Sequence, residues 1–245
     1  DQRHLGHRKR RRIRRAGKRI LIADMGHRAL LFDLDGTMLN SDAIHMSVFA
    51  DMMPPLGLAV SGDFYMAHMH GRLNVDIFAE FLSDHPNPQA LSDAKEAEFR
   101  ARLPKPYPAM PGLSDLIDLS QTNGWKRAVV TNAMRLNAEC MLDAIGLRSH
   151  FDTLIIGEEC ARGKPDPEPY LAAMAALDVA PENCIAFEDS PSGLRAAAAS
   201  GAYTVGIRSS LDDATLRAAG AHITLSDFTD AALDQVLARL TGATQ

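Results

Sequence analysis

Short apolar runs recur along this chain, separated by helical stretches of about ten residues, and that alternation leaves few folds open. Arg28–Asp33 (RALLFD) is the first run. Trp125–Thr131 (WKRAVVT), Phe151–Ile156 (FDTLII), Asn183–Glu188 (NCIAFE) and Ala202–Ile207 (AYTVGI) follow, with a shorter sixth at Ala221–Leu225. Between them lie helical patterns at Leu113–Thr122, Ala133–Ile145, Pro167–Leu177 and Ser190–Ser200. Ser190-Pro191 reads as an N-cap followed by a proline that a first helical turn tolerates, and Gly201 as a stop. Strands alternating with helices imply parallel βαβ units with right-handed crossovers, hence an α/β fold with a Rossmann-like parallel sheet.

One stretch breaks the rhythm. Residues 41–108 carry helical periodicity (Ile77, Phe78, Phe81, Leu82) and no strong strand signal, and the proline-rich Pro104–Pro111 reads as a return linker. The expectation is a helical unit inserted after the first strand, over a core made of 25–40 and 109–245. Met52-Met53 is expected in the core of that unit. His68, His70 and His85 show no metal-ligand spacing and are assigned to its surface or packing.

Charge divides the chain. Residues 1–24 hold ten Lys/Arg and two acidic residues, and the remaining 221 are acidic, so the body is a poor partner for nucleic acid. The block Arg8–Arg12 has three readings: a dispensable extension ahead of Met25, a disordered tail, or a basic tether. It lacks the apolar core of a secretory signal. No apolar run has the length of a membrane span. Three sparse cysteines, Cys140, Cys160 and Cys184, argue against a disulfide framework or a structural zinc site; they fit reduced thiols in a cytoplasmic protein.

Function is carried by where the polar residues fall. Asp33 and Asp35 end the first strand, Thr131 ends the second, Lys164 follows the third, and Glu188 and Asp189 end the fourth. In an open parallel sheet, groups just past the carboxyl ends of strands meet in one crevice. A carboxylate can attack phosphorus. A phosphate dianion repels that carboxylate, so positive charge must screen the encounter. Asp33, Asp189 and Glu188 offer the oxygen ligands that Mg²⁺ prefers, Lys164 offers a mobile point charge, and Thr131 a hydroxyl donor. Asp33 fits the nucleophile, and Asp35 the acid that protonates the leaving oxygen and then the base that activates water. Gly36 lets the backbone turn close to the phosphate, and Thr37 can pin the turn with its hydroxyl.

These residues resemble the haloacid dehalogenase superfamily. Asp33-Leu34-Asp35-Gly36-Thr37 is similar to its first motif, Val130-Thr131-Asn132 to its second, Gly163-Lys164-Pro165-Asp166-Pro167 to its third and Glu188-Asp189-Ser190 to its fourth, over roughly Gly26 to Leu240. The resemblance implies Mg²⁺ held by Asp33, the Asp35 carbonyl and Asp189, with Glu188 as a further candidate, and an aspartyl-phosphate intermediate. It implies substrate contacts from Gly36, Thr37, His45 and Asn132, and a helical cap of the kind found in β-phosphoglucomutases and sugar-phosphate or phosphoglycolate phosphatases.

Within the superfamily, Asp35 argues against the dehalogenases and the phosphonoacetaldehyde hydrolases, which lack a second aspartate there. The only lysines of the insertion are Lys95 and Lys105, near its end. His45 lies twelve residues after Asp33, as in the mutases, but Asn74 stands where those enzymes place an arginine three residues after a cap glycine, here Gly71; Arg72 is nearby. Arg135, four residues past Thr131, has no assigned target. The leading expectation is a phosphatase of a small phosphorylated metabolite, working without nucleic acid or membrane. A sugar-phosphate mutase and a catalytically silent phosphate-ester-binding protein are the alternatives.

Overall fold

The structure, a computed structural model, describes residues 27–70 and 72–241. The basic block, Met25 and Gly71 lie outside the described residues. In chain order the elements are β1 (Ala29–Phe32), α1 (Asp42–Met52), α2 (Gly62–His68), α3 (Asn74–Phe81), α4 (Pro88–Arg102), α5 (Leu113–Thr122), β2 (Lys126–Thr131), α6 (Arg135–Ala144), β3 (Thr153–Ile156), α7 (Glu168–Leu177), β4 (Cys184–Glu188), α8 (Pro191–Ala199), β5 (Tyr203–Ile207), α9 (Asp213–Ala218), β6 (Ile223–Leu225) and α10 (Leu233–Thr241).

The six strands form one parallel sheet in the order β3-β2-β1-β4-β5-β6. β1 takes the centre because it is apolar on both faces. Leu30 and Phe32 join one core cluster, with Leu113 and Leu116 of α5 and Val236 and Leu240 of α10. Ala29 and Leu31 join the other, with Tyr170 and Met174 of α7 and Ala196 of α8. A strand covered on both sides needs a continuous hydrophobic run, which RALLFD supplies. Phe32 stacks on Phe187 with ring centroids 5.1 Å apart, which locks β1 to β4. The strand order reverses between β1 and β4, and a parallel sheet opens its ligand crevice at such a reversal.

The stretch after β1 is helical, as its periodicity predicts. Helices α1 to α4 gather a separate apolar cluster of Phe49, Met53, Tyr65, Met69, Ile77 and Phe78, with Met52 packed against it. Two connectors join this unit to the sheet, and they run side by side. Met110 N–H donates to the Met38 carbonyl (2.7 Å), and the Tyr107 hydroxyl to the Asn40 carbonyl (2.7 Å). Each strand begins one or two residues inside its apolar run, because the flanking residues turn into the loops. Helices α9 and α10 add to the expected set. No helix among the described residues is long and apolar enough to cross a membrane.

Candidate active site

Register explains why distant residues meet. Phe32 pairs with Val129 on one side and with Phe187 on the other. One residue further, Asp33 leaves β1 flanked by Val130 and Glu188. The ammonium of Lys164 spans all three strands. It donates to Asp33 Oδ1 (2.7 Å), Glu188 Oε1 (2.6 Å) and the Val130 carbonyl (2.6 Å). Its three protons are thereby matched to three acceptors in a fully buried setting.

The loop that delivers Lys164 is clamped by Asn132. The Asn132 side chain accepts from Lys164 N–H (3.1 Å) and donates to the Lys164 carbonyl (3.1 Å). A β-carbon on Gly157 would overlap the Asn132 amide oxygen, so glycine there lets the loop approach. Asn132 was expected at the substrate; its amide is engaged by this loop. Thr131 Oγ accepts from Ala133 N–H (3.0 Å), a short local turn that leaves the hydroxyl proton free to point outward.

The turn after β1 departs from expectation in one detail. The Thr37 hydroxyl is buried with no partner among the described residues, so it does not pin the turn. Backbone bonds do so instead: Gly36 N–H to Leu39 O (2.7 Å) and Met38 N–H to Leu34 O (2.8 Å). Gly36 sits at φ +83°, and a β-carbon there would overlap the Asp189 carboxylate. Both backbone and space therefore demand glycine.

Glu188 is wholly buried. Its Oε1 also accepts from the Tyr170 hydroxyl (2.8 Å), and its Oε2 from the Ser190 hydroxyl (3.2 Å). It lies against the first turn of α8, where a β-carbon on Gly193 would overlap the carboxylate. Sequence reasoning missed Gly193; its place in the first turn directly after Glu188-Asp189-Ser190 was the available signal. Gly193→Ala should show this. Alanine gains about 1 kcal/mol of helix propensity, but overpacking a fixed buried carboxylate costs roughly 1–3 kcal/mol. The expected outcome is a lower melting temperature in a thermal scan, not a higher one.

Asp33, Glu188 and Asp189 each offer a carboxylate oxygen, and these lie within 4.8 Å of one another. One lysine does not neutralise three carboxylates. The Asp33 carboxyl is pushed up to about 7, by burial first and then by Glu188, against the pull of Lys164. Asp189 is pushed well above the usual carboxylate range by burial, then by Asp33 and Glu188. An oxygen-only cluster short of positive charge has the chemistry to hold a hard divalent cation.

Asp35 adds to the repulsion on Asp33 and Asp189, yet its own carboxyl shifts the other way. Burial pushes its carboxyl up, but hydrogen bonds from His45 and Ser41 outweigh burial and hold it below the usual range. Ser41 Oγ donates to Oδ1 (2.6 Å), and His45 Nε2 lies 2.9 Å from Oδ2. Behind His45 stands Lys95 of α4, whose ammonium is 2.7 Å from Nδ1 and 2.8 Å from Glu96 Oε1. An ammonium only donates, so Nδ1 accepts and Nε2 carries the proton that it gives to Asp35. The imidazole lies flat on Phe99, with ring centroids 4.0 Å apart. In the sequence Lys95 stood out only as one of the two lysines of the insertion. Its i, i+4 spacing from Phe99 on one helix face was the missed signal.

Other singled-out residues fall elsewhere. Arg135 pairs with Glu159 (2.6 Å) and Arg72 with Glu80 (2.7 Å). Asn74 donates to Glu96 Oε1 (2.6 Å). His70 pairs with Asp42 (3.0 Å) inside the helical unit, in keeping with the packing role expected of it.

The chain is similar to several known proteins in sequence and fold. The chain is 32% identical to validoxylamine A 7'-phosphate phosphatase of Streptomyces hygroscopicus, over 83% of this chain and 95% of that one. It is 27% identical to a phosphorylated carbohydrates phosphatase of Thermotoga maritima, over 76% of this chain and 87% of that one. CbbY of Rhodobacter sphaeroides, solved in complex with phosphate, superposes with a TM-score of 0.71 at 29% identity, covering 82% of this chain and 95% of that one. The family model for haloacid dehalogenase-like hydrolases matches residues 30–207, which include all four motifs, and the chain belongs to that family.

Proposed function

We propose that this protein is a Mg²⁺-dependent phosphatase of small phosphorylated metabolites, of the sugar-phosphate type, that works through a phosphorylated Asp33. The observation that carries the reading is the Lys164 ammonium, held against Asp33 Oδ1 while Asp33 Oδ2 has no donor among the described residues. One oxygen is thus oriented and the other left for attack.

In the first step Asp33 forms a bond to phosphorus as the phosphorus–oxygen bond to the leaving group breaks. The leaving oxygen takes a proton from the acid form of Asp35, the minor form while His45 and Ser41 donate to it. In the second step water attacks the same phosphorus, gives its proton to Asp35, and frees the Asp33 carboxylate and inorganic phosphate. Thr131 donates to a phosphoryl oxygen, and the Lys164 ammonium, its three protons already placed, faces the phosphoryl group as positive charge. Asp33, Asp189 and the Asp35 carbonyl are assigned to the metal, which supplies positive charge to the phosphoryl group. Both oxygens of Glu188 already accept from Lys164, Tyr170 and Ser190, so its task is to hold Lys164 in place. The helices of 41–108 act as a cap that excludes water during transfer.

A mutase needs a grip on a second phosphate. At the position expected to supply it, the Asn74 amide donates to Glu96 and Ser92, and the neighbouring Arg72 is paired with Glu80. This favours hydrolysis over mutase action. A panel of phosphate esters tests the reading: inorganic phosphate should appear with Mg²⁺ and stop with EDTA. Isomerised ester with little free phosphate would favour the mutase.

Metal binding should also appear in stability. In the folded protein Asp33 and Asp189 both hold their protons to higher pH than an ordinary aspartate does. The folded state therefore binds more protons than the unfolded one, and metal-free stability falls as pH rises from about 4 to about 7. Mg²⁺ binds the ionised carboxylates, so it should raise the melting temperature more near pH 7.5 than near pH 5.5, as roughly expected from linkage. An equal rise at both values would speak against this cluster as the metal site.

A further inference from the structure

The strand ends that build the site do not stop at β4. Glu188 pairs with Gly206 of β5, so Asp189 leaves β4 beside Ile207, the last residue of β5. Two residues further on, Ser209 Oγ donates to Asp189 Oδ2 (3.3 Å). Asp189 is buried, and among the described residues Ser209 is its one side-chain hydrogen-bond donor. A carboxylate has room for about four such bonds. Asp189 is thus held at one oxygen and unclaimed at the other.

The loop that carries Ser209 is pinned at both ends. At its start, Arg208 N–H donates to the Leu225 carbonyl of β6 (2.9 Å), and Arg208 Nη1 to Thr224 Oγ1 (2.7 Å). At its end, Asp212 caps α9 by accepting from Thr215 N–H (2.8 Å), and Leu211 packs against the cluster that holds Leu194 and Leu216. The Gly36 turn also lies against Oδ2, where a β-carbon would overlap it. Ser210, next in the chain, differs from Ser209: its hydroxyl is buried and has no partner among the described residues. Fixed elements therefore place one hydroxyl of this loop, and only one, on the carboxylate.

We infer that Ser209 is a positioning residue for the metal: by holding Oδ2 it aims the other oxygen of Asp189 into the carboxylate cluster, and so favours a small, strictly octahedral cation over a larger one. Ser209 itself touches no reacting atom. Mg²⁺ demands near-ideal octahedral geometry, whereas Ca²⁺ accepts about six to eight oxygens in a flexible shell. A swivelled ligand therefore costs Mg²⁺ more than Ca²⁺. Loss of general packing would weaken both cations alike.

The inference rests on the metal dependence of the proposed function, and metal binding without substrate tests it apart from turnover. The rise in melting temperature with metal concentration reads Kd for each cation. In Ser209→Ala, Kd for Mg²⁺ should rise about tenfold, the lower end of what losing a hydrogen-bonded partner of a metal ligand costs, and Kd for Ca²⁺ less than about threefold. Ser210→Ala removes the neighbouring hydroxyl, which holds nothing, and should leave both values unchanged. Equal losses for the two cations in Ser209→Ala, no loss for either, or the same pattern in Ser210→Ala would overturn the inference and leave Mg²⁺ binding by the cluster standing. A wild-type protein whose melting temperature ignores Mg²⁺ would overturn the metal dependence and this inference together.

Discussion

Asp33→Asn should abolish turnover, by on the order of 10⁴-fold or more, without unfolding the protein. Losing a nucleophile removes the covalent path altogether, which is why such losses are large. The structural side has the opposite sign. The Asp33 carboxylate sits beside Glu188 and Asp189 in a buried site, and its pKa near 7 reports that its charge is unwelcome in the metal-free state. Asparagine keeps an oxygen to accept from Lys164 and deletes the repulsion. Metal-free Asp33→Asn should therefore melt at or above the wild-type temperature near pH 8, a pattern that separates lost chemistry from lost fold. A variant that is inactive because it is unfolded would not support the assignment.

Lys164→Met should fail in both respects. The ammonium is bonded to Asp33, Glu188 and a carbonyl, and Glu188 has no exposed surface. Removing one partner of a buried ion pair typically costs about 3–5 kcal/mol because the remaining charge is left uncompensated. That is a large part of the roughly 5–15 kcal/mol that holds a domain folded. Protonation of Asp33, whose carboxyl is already pushed up to about 7, would relieve part of the strain, so the loss should shrink as pH is lowered. Urea unfolding of the metal-free variant at two pH values checks this; a pH-independent loss would mean that the defect is packing rather than charge. Activity should fall with it, since the same ammonium screens the phosphoryl group.

The sheet was legible because each strand is short and largely apolar, and the three central ones, β1, β2 and β4, run out into polar residues. The same rule brought Asp33, Lys164, Glu188 and Asp189 to one rim, where the structure has them, with Thr131 as the last residue of neighbouring β2. Helix α10 was also legible and was not singled out: Leu233, Val236, Leu237 and Leu240 follow helical spacing. What could not be read was the aim of individual side chains. Nothing in DLDGT says that Thr37 keeps an unpartnered hydroxyl while the backbone closes the turn. Nothing near Asn132 says that its amide clamps a loop 32 residues away. Lys95 was hardest, because its partner His45 is fifty residues distant and reached only when two helices of the insertion pack together. Periodicity reports which face of a helix is buried, not which polar group on that face finds a partner.

The central claim is that Asp33 carries the phosphoryl group in mid-reaction. Borohydride reduces an acyl phosphate to an alcohol but leaves a free carboxylate intact. Quenching the wild-type protein during turnover of 4-nitrophenyl phosphate with Mg²⁺ present, then reducing and mapping peptides by mass spectrometry, reads the site directly. The expected result is reduction at position 33 alone, absent without substrate and absent in Asp33→Asn. Reduction at another carboxylate, or rapid phosphate release with position 33 unmodified throughout, would contradict it.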